Sequence, residues 1–316
     1  MWYRVLLGCA VIMACFTQCY AAHAGHRFVL QGNKRLAVVD SGGRVEWEMP
    51  WGGIHDVHVL PSGNFMVQQG PAKVVEIDRA TKQVVWTYDS ANSNGNAGRK
   101  VEVHAFQPLA DGRVMIAESG PARIIEIDRA GKLLHEVKLK VDNPHPHTDT
   151  RLVRKLATGH YLVCHEGDGY VREYDATGKI VWEFEVPLFD KERRGGHGPE
   201  AWGNKAFAPV RLPSGNTLIS TGNGHGVIEV TPEKKIVWQI GQHDFSPIVL
   251  SWVTTLEVLP SGNYVIGNCH AGPGQPVLVE IDPRTKKVVW QFDGFKAFGN
   301  SVSNSQFLDL STPSLR

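Results

Sequence analysis

One short turn recurs along this chain and narrows its fold more than any other feature. It reads LPSGN at Leu60, Leu212 and Leu259, LADGR at Leu109 and LATGH at Leu156, so that successive copies start 49, 47, 56 and 47 residues apart. After each turn come a short apolar strand, a second one (VVEID, RIIEID, YVREYD, GVIEV, VLVEID) and a third. The third carries Trp86, Trp182, Trp238 or Trp290, with His135 in the same slot of the second unit. Repeats of this length, built from short strands with no sustained helical period, predict a β-propeller. Tryptophan at one repeated position is expected to fill the space between blades.

The chain ends set the blade count. RFVLQGNKRLAVVDSGGRVEWEMP supplies three strands ending near Trp47 but no inner strand, whereas SVSNSQFLDL near Leu308 supplies an inner strand and nothing after it. The two fragments complete one another, which predicts an all-β, six-bladed propeller closed by its C-terminal strand. Closure removes the exposed sheet edges that would otherwise invite aggregation.

Residues 1–24 read as a signal peptide, with Arg4, an apolar run from Val5 to Phe16 and Ala22-His23-Ala24 as the cleavage site; residues 25–316 form the single propeller domain. The apolar run is too short for a permanent span, and a lipoprotein signal ending at Cys15 fits less well because Met13 precedes Ala14. The expected location is periplasmic or secreted, with no integral membrane segment after cleavage. Cys164 and Cys269 remain, on non-adjacent units, so no bridge between them is expected. A net charge of +1 with no basic run longer than KERR at Lys191–Arg194 argues against a nucleic-acid partner.

The loops divide into two sets. One face carries short, monotonous turns such as PSGN and DRAGK; the other carries long, varied loops holding His55, His104, His145, His147, His165, His197, His225, His243 and His270. Varied loops on a rigid scaffold are where function usually resides. Five residues before each repeat leucine stand His55, His104, Arg151, Phe207, Thr254 and Ser303, so three adjacent blades aim His, His and Arg at the mouth of the central channel. That trio suits an anionic group: arginine offers a fixed donor fork, and histidine can transfer a proton or act as nucleophile. Around it, His165, Glu118, His197, His225, His270 and Trp202 are candidate ligand-binding residues, with Glu166 and Glu200 as further carboxylates. Two residues before each leucine lie His58, Gln107, Arg154, Val210, Glu257 and Gln306, expected to hydrogen-bond between blades. The motif His145-Pro146-His147-Thr148-Asp149, taken as extended, would aim His145, His147 and Asp149 at one divalent cation such as zinc.

The phrases GIHDVHVLPSGN and LPSGN…VIEV…KKIVWQ resemble the PQQ-like and arylsulfotransferase-like propeller repeats of exported bacterial proteins over essentially the whole mature chain. The arylsulfotransferase resemblance implies a channel-mouth histidine that accepts a sulfuryl group covalently, with His55, His104 and Arg151 as the matching residues in kind. Quinone-dependent dehydrogenases have more blades and an adjacent cysteine pair; no CC occurs here, so PQQ itself is not expected. Three functions fit: a site for a small polar or anionic ligand (a carbohydrate or sulfated compound), a metal-dependent lyase or hydrolase, and a non-catalytic propeller that binds protein or glycan through Trp51, Trp202 and Trp252.

Overall fold

In the computed structural model, which describes residues 25–316, six antiparallel sheets of four strands each form a ring. The inner strands of blades 2 to 6 are Val57–Val59, Glu102–Pro108, Val153–Lys155, Ala208–Arg211 and Val253–Val258. Blade 1 takes its inner strand, Ser305–Leu308, from the far end of the chain; it pairs with Arg27–Gly32, which leads to Arg35–Val39 and Val45–Pro50. The expected composite blade and the blade number are therefore both present. Residues 1–24, where a signal peptide is expected, lie outside the described residues. Among the described residues no helix is long and apolar enough to cross a membrane.

Each letter of the repeat has a physical task. The turn glycines Gly63, Gly112, Gly159, Gly215 and Gly262 all have φ between 85° and 90°, a region that side chains with a Cβ disfavour. The residue after each glycine reaches the glutamate of the third strand of its own blade. Asn64 donates to Glu76 at 2.8 Å, Arg113 to Glu126 at 2.6 Å, Asn216 to Glu229 at 2.6 Å and Asn263 to Glu280 at 2.7 Å, while His160 Nδ1 lies 2.7 Å from Glu173. Several of these glutamates also take a cation from a neighbouring blade: Arg129 on Glu76, Lys155 on Glu126 and Arg211 on Glu173. The buried carboxylates are thus paired from two sides, which is the condition for burying charge without a large penalty.

The outer-strand tryptophans tie each blade to the next. The indole N–H of Trp47 donates to the Arg79 carbonyl, Trp86 to Arg129, Trp182 to Pro232 and Trp238 to Pro283, at 2.8 to 3.1 Å. His135 substitutes by stacking on Tyr161 of the following blade, and Trp290 closes the circle against Phe28 and Phe307 of blade 1. Cys164 and Cys269 are buried and free, as their placement on separate blades requires.

Inside the ring a polar layer crosses the channel. Asp56, wholly buried, takes both terminal nitrogens of Arg154 at 2.7 and 2.9 Å and the side-chain amide of Asn304 at 3.1 Å. Gln107 accepts from the Lys155 backbone and Gln306 from that of Val59, so this layer bonds blade to blade as expected. The Arg316 guanidinium enters the same layer and donates to the carbonyls of Val57 and Ser305 at 2.8 and 2.9 Å. Burial opposes the charge on Asp56, yet Arg154 and its other partners hold its carboxyl far below the usual range.

Two outcomes follow from this packing. Trp238→Ala, which removes a half-buried indole packed on Tyr264 together with its hydrogen bond, costs about 2–4 kcal/mol in urea unfolding. A depressed aspartate pKa contributes stability in full above the unfolded value of about 3.9, and that contribution is lost progressively as pH falls from there through the lower folded value. Asp56→Asn therefore destabilises strongly at pH 7, by about 3 kcal/mol or more, and the gap to wild type narrows in unfolding curves taken at successively lower pH from 5 to 3.

Candidate functional site

The mouth of the channel is built by residues that precede or begin the inner strands of blades 2, 3 and 4. A β-bulge in the first pair of blade 3 leaves His104 as the extra residue between Val103 and Ala105. Such a bulge re-aims its side chain out of the regular ladder, here towards the channel. The ring of His104 meets that of His55 edge to face, with centroids 4.6 Å apart, and His147 joins them at 5.3 Å from His104 and 6.2 Å from His55. Glu102, two residues before His104 on the same strand, places a carboxylate oxygen 2.7 Å from His147 Nδ1 and 3.3 Å from His104 Nε2. His104 is fully buried and His147 is half-exposed at the rim.

Arg151 lies on the blade 4 side of this group. Its Nε pairs with buried Glu166, while one terminal nitrogen is shut off from solvent with no hydrogen-bond partner. Lys205 Nζ also reaches Glu166, at 3.1 Å. Burial works against ionisation of Glu166, but the two cations together hold its carboxyl below the ordinary range. His55 Nδ1 is likewise buried and without a partner. Burial first, then the neighbouring His104, Arg151 and His147, push the His55 pKa well down. The same burial and Arg151 bring His104 to about 4. Both rings are therefore neutral at pH 7 and keep lone pairs for a proton, a cation or an electrophile. The Asp56–Arg154 layer and Arg316 occupy the channel next to this group.

Beyond Glu166 a cleft of about 410 Å³ opens between blades 4 and 5, lined by Arg193, Arg194 and Lys205 with Trp202, Asn204 and Asn223. On its far side His197 stacks on Trp252 at 4.9 Å and meets His270 at 5.3 Å.

The sequence-predicted residues divide accordingly. His55, His104 and Arg151 converge, and His147 joins them. The expected trio His145, His147 and Asp149 does not form, because the segment is not extended. The amides of Thr148 and Asp149 bond back to the His145 carbonyl in a turn. Asp149 is buried, and its two carboxylate oxygens accept the His145 and Gly120 amides at 2.5 and 2.8 Å. His145 Nδ1 accepts the His147 amide at 3.2 Å. Asp149 thus positions the loop that carries His147. Three candidates for ligand contact have internal partners, although Glu118 Oε1 and His225 Nδ1 are left buried without one. His165 Nδ1 meets the Asp149 carbonyl at 2.8 Å and its Nε2 meets the Tyr174 hydroxyl at 2.9 Å. Buried Glu118 pairs with Arg123 at 2.6 Å. His225 Nε2 lies 2.6 Å from the Ala201 carbonyl, beneath Trp202. Trp202 lines the adjoining cleft, and His197 and His270 pack on each other and on Trp252. Trp252 is buried, and the indoles of Trp51 and Trp202 donate to the Gln68 and Leu188 carbonyls, so these three rings form no open stacking platform.

Glu102, Thr150 and Lys205 were not singled out from sequence. The spacing Glu102-Val103-His104 was the available signal, since residues two apart on a strand share a face.

The family described as outer membrane protein assembly factor BamB matches over residues 32–292. The chain belongs to this PQQ-like propeller-repeat family. A protein of unknown function from Bacteroides caccae superposes on the chain with a TM-score of 0.73 at 22% identity, covering 90% of this chain and 99% of its own. Streptogramin B lyase gives 0.55 at 10% identity over 86% of this chain and 84% of its own. The WD40 propeller domain of Doa1 gives 0.53 at 13% identity over 77% and 71%. An enzyme and a WD40 domain lie equally far from the chain, so these likenesses establish the fold alone. No curated protein sequence matches the chain.

The ion pairs at the mouth give a contrast that mutation can read. Glu166→Ala leaves the buried Arg151 charge uncompensated and costs about 3–5 kcal/mol in chemical denaturation. Lys205→Ala, at a side chain that is 40% exposed, costs less than about 1 kcal/mol.

Proposed function

We propose that this protein binds a small anionic ligand (a carboxylated or sulfated compound, sugars included) at the channel mouth in the bacterial periplasm or outside the cell. The observation that carries this reading is the pair of buried, unpartnered polar nitrogens, Arg151 terminal N and His55 Nδ1, on side chains near enough for the Arg151 charge to act on the His55 ring. Unsatisfied buried donors are costly, and an anion placed between them supplies the missing acceptors. Arg193, Arg194 and Lys205 in the adjoining cleft raise the local concentration of anions, and its volume admits a ligand of roughly sugar size.

The neutral imidazole of His55 beside a fixed guanidinium also meets the demands of sulfuryl transfer, the chemistry that the arylsulfotransferase resemblance implies. The ring lone pair would attack sulfur as the S–O bond to the phenol breaks, and Arg151 would hold the sulfuryl oxygens. The leader-like residues 1–24 and the family's outer-membrane description support export.

Differential scanning fluorimetry with sulfate, glucuronate and p-nitrophenyl sulfate tests the reading. At least one of these anions raises the melting temperature of the wild type, and the rise falls at least tenfold in apparent affinity in Arg151→Gln and His55→Ala. Equal shifts in wild type and both variants would remove the assignment. Release of p-nitrophenol in the presence of a phenolic acceptor, lost in His55→Ala, would separate transfer from binding.

A further inference from the structure

His104 presents a hydrogen-bonding conflict that protein atoms alone do not resolve. Its Nδ1 lies 2.9 Å from the Thr150 carbonyl oxygen and its Nε2 lies 3.3 Å from a Glu102 carboxylate oxygen, and both partners are acceptors. A neutral imidazole has one N–H. The Thr150 carbonyl is the better-fixed partner, because the Thr150 amide and hydroxyl are both bonded to the buried Ser119 hydroxyl at 3.0 and 2.7 Å. The proton therefore sits on Nδ1, and Nε2 turns a lone pair towards a carboxylate. A metal cation accepts both lone pairs at once.

We propose that Glu102, His104 and His147 form a divalent-cation site of the zinc type at the channel mouth, with His55 beside it. One ligand atom from each of the three lies within 4.8 Å of the other two. Two imidazoles and one carboxylate with an open fourth position are the donor set of catalytic zinc sites, and a histidine whose other nitrogen donates to a backbone carbonyl is the usual orienting arrangement. Bonds of about 2.1 Å in tetrahedral geometry set ligand atoms about 3.4 Å apart, so His147 Nδ1, at 2.7 Å from the Glu102 oxygen, must shift to take its place as a ligand. The half-exposed His147, carried on the loop anchored by Asp149, is the member free to make that movement. His55 lies against the His104 ring, with centroids 4.6 Å apart, and Arg151 is near enough for its charge to act on both rings. This site goes beyond anion binding and stands without it, since its ligands are different residues.

The test is isothermal titration of Zn²⁺ alone into the untagged, chelator-treated full chain, with no anionic ligand beyond the buffer. One ion per chain is expected, with affinity reduced at least tenfold in both Glu102→Gln and His147→Ala and unchanged in His197→Ala, which lies on the opposite rim. Cobalt substitution should give visible d–d absorption that both variants lose. Glu102 and His147 are chosen because neither side chain is fully buried, and an unaltered unfolding curve confirms that each variant is folded. Absence of stoichiometric binding by the wild type, or wild-type affinity in either folded variant, overturns the proposal. A wild type that binds zinc but shows no anion-induced stabilisation in metal-free protein would keep this site and reject the anion reading, and the reverse pattern would reject this site only.

Discussion

The pairing of Ser305–Leu308 with Arg27–Gly32 is the contact on which the rest of the molecule depends. It joins strands almost a whole chain apart, and until it forms, blades 1 and 6 each present an open flank. Once it forms, every blade has two neighbours. The repeated interactions then act around a closed circle: tryptophan to the next blade's turn, glutamate to the next blade's cation, and the polar layer centred on Asp56 and Arg154. Such long-range closure is entropically expensive, and the repetition of blade-to-blade contacts is what offsets it. Asn304 and Arg316 bring the end of the chain into the channel layer itself. Ring closure and channel filling are thereby one event.

A rigid ring explains why the channel mouth can hold groups in unsatisfied states. Buried unpartnered nitrogens on Arg151 and His55, and an imidazole caught between two acceptors at His104, are each unfavourable and would relax away in a soft structure. Here the inner strands are held by blades on both sides, and the loop of residues 142–150 is anchored by Asp149 and capped by Asp168, which accepts the Asp142 and Asn143 amides.

Much of the fold was legible in the sequence because its determinants are local and periodic. Turn glycines, alternating apolar residues and one tryptophan per unit report blade number and register directly, and that register placed His55, His104 and Arg151 at a common point. Legibility ended where a side chain's direction depends on a local irregularity. The His145–Asp149 segment looked extended because proline favours that form in isolation, yet Asp149 accepts two amides and bends the chain into a turn. His165, His225 and Glu118 have the composition of a binding face, but each meets an internal partner: Tyr174 for His165, the Ala201 carbonyl for His225 and Arg123 for Glu118.

Repetition and alternation in the chain were sufficient for an all-β six-bladed ring with its functional groups on one face. These patterns state which residue types share a strand face, and strand geometry converts that into position. Contact between Glu102, His104 and His147 came instead from tertiary structure, through a bulge that turns one histidine inward and a turn that delivers another from a separate loop. Neither device has a periodic signature: the bulge adds one residue to a strand, and the turn is held by the His145 and Gly120 amides on Asp149.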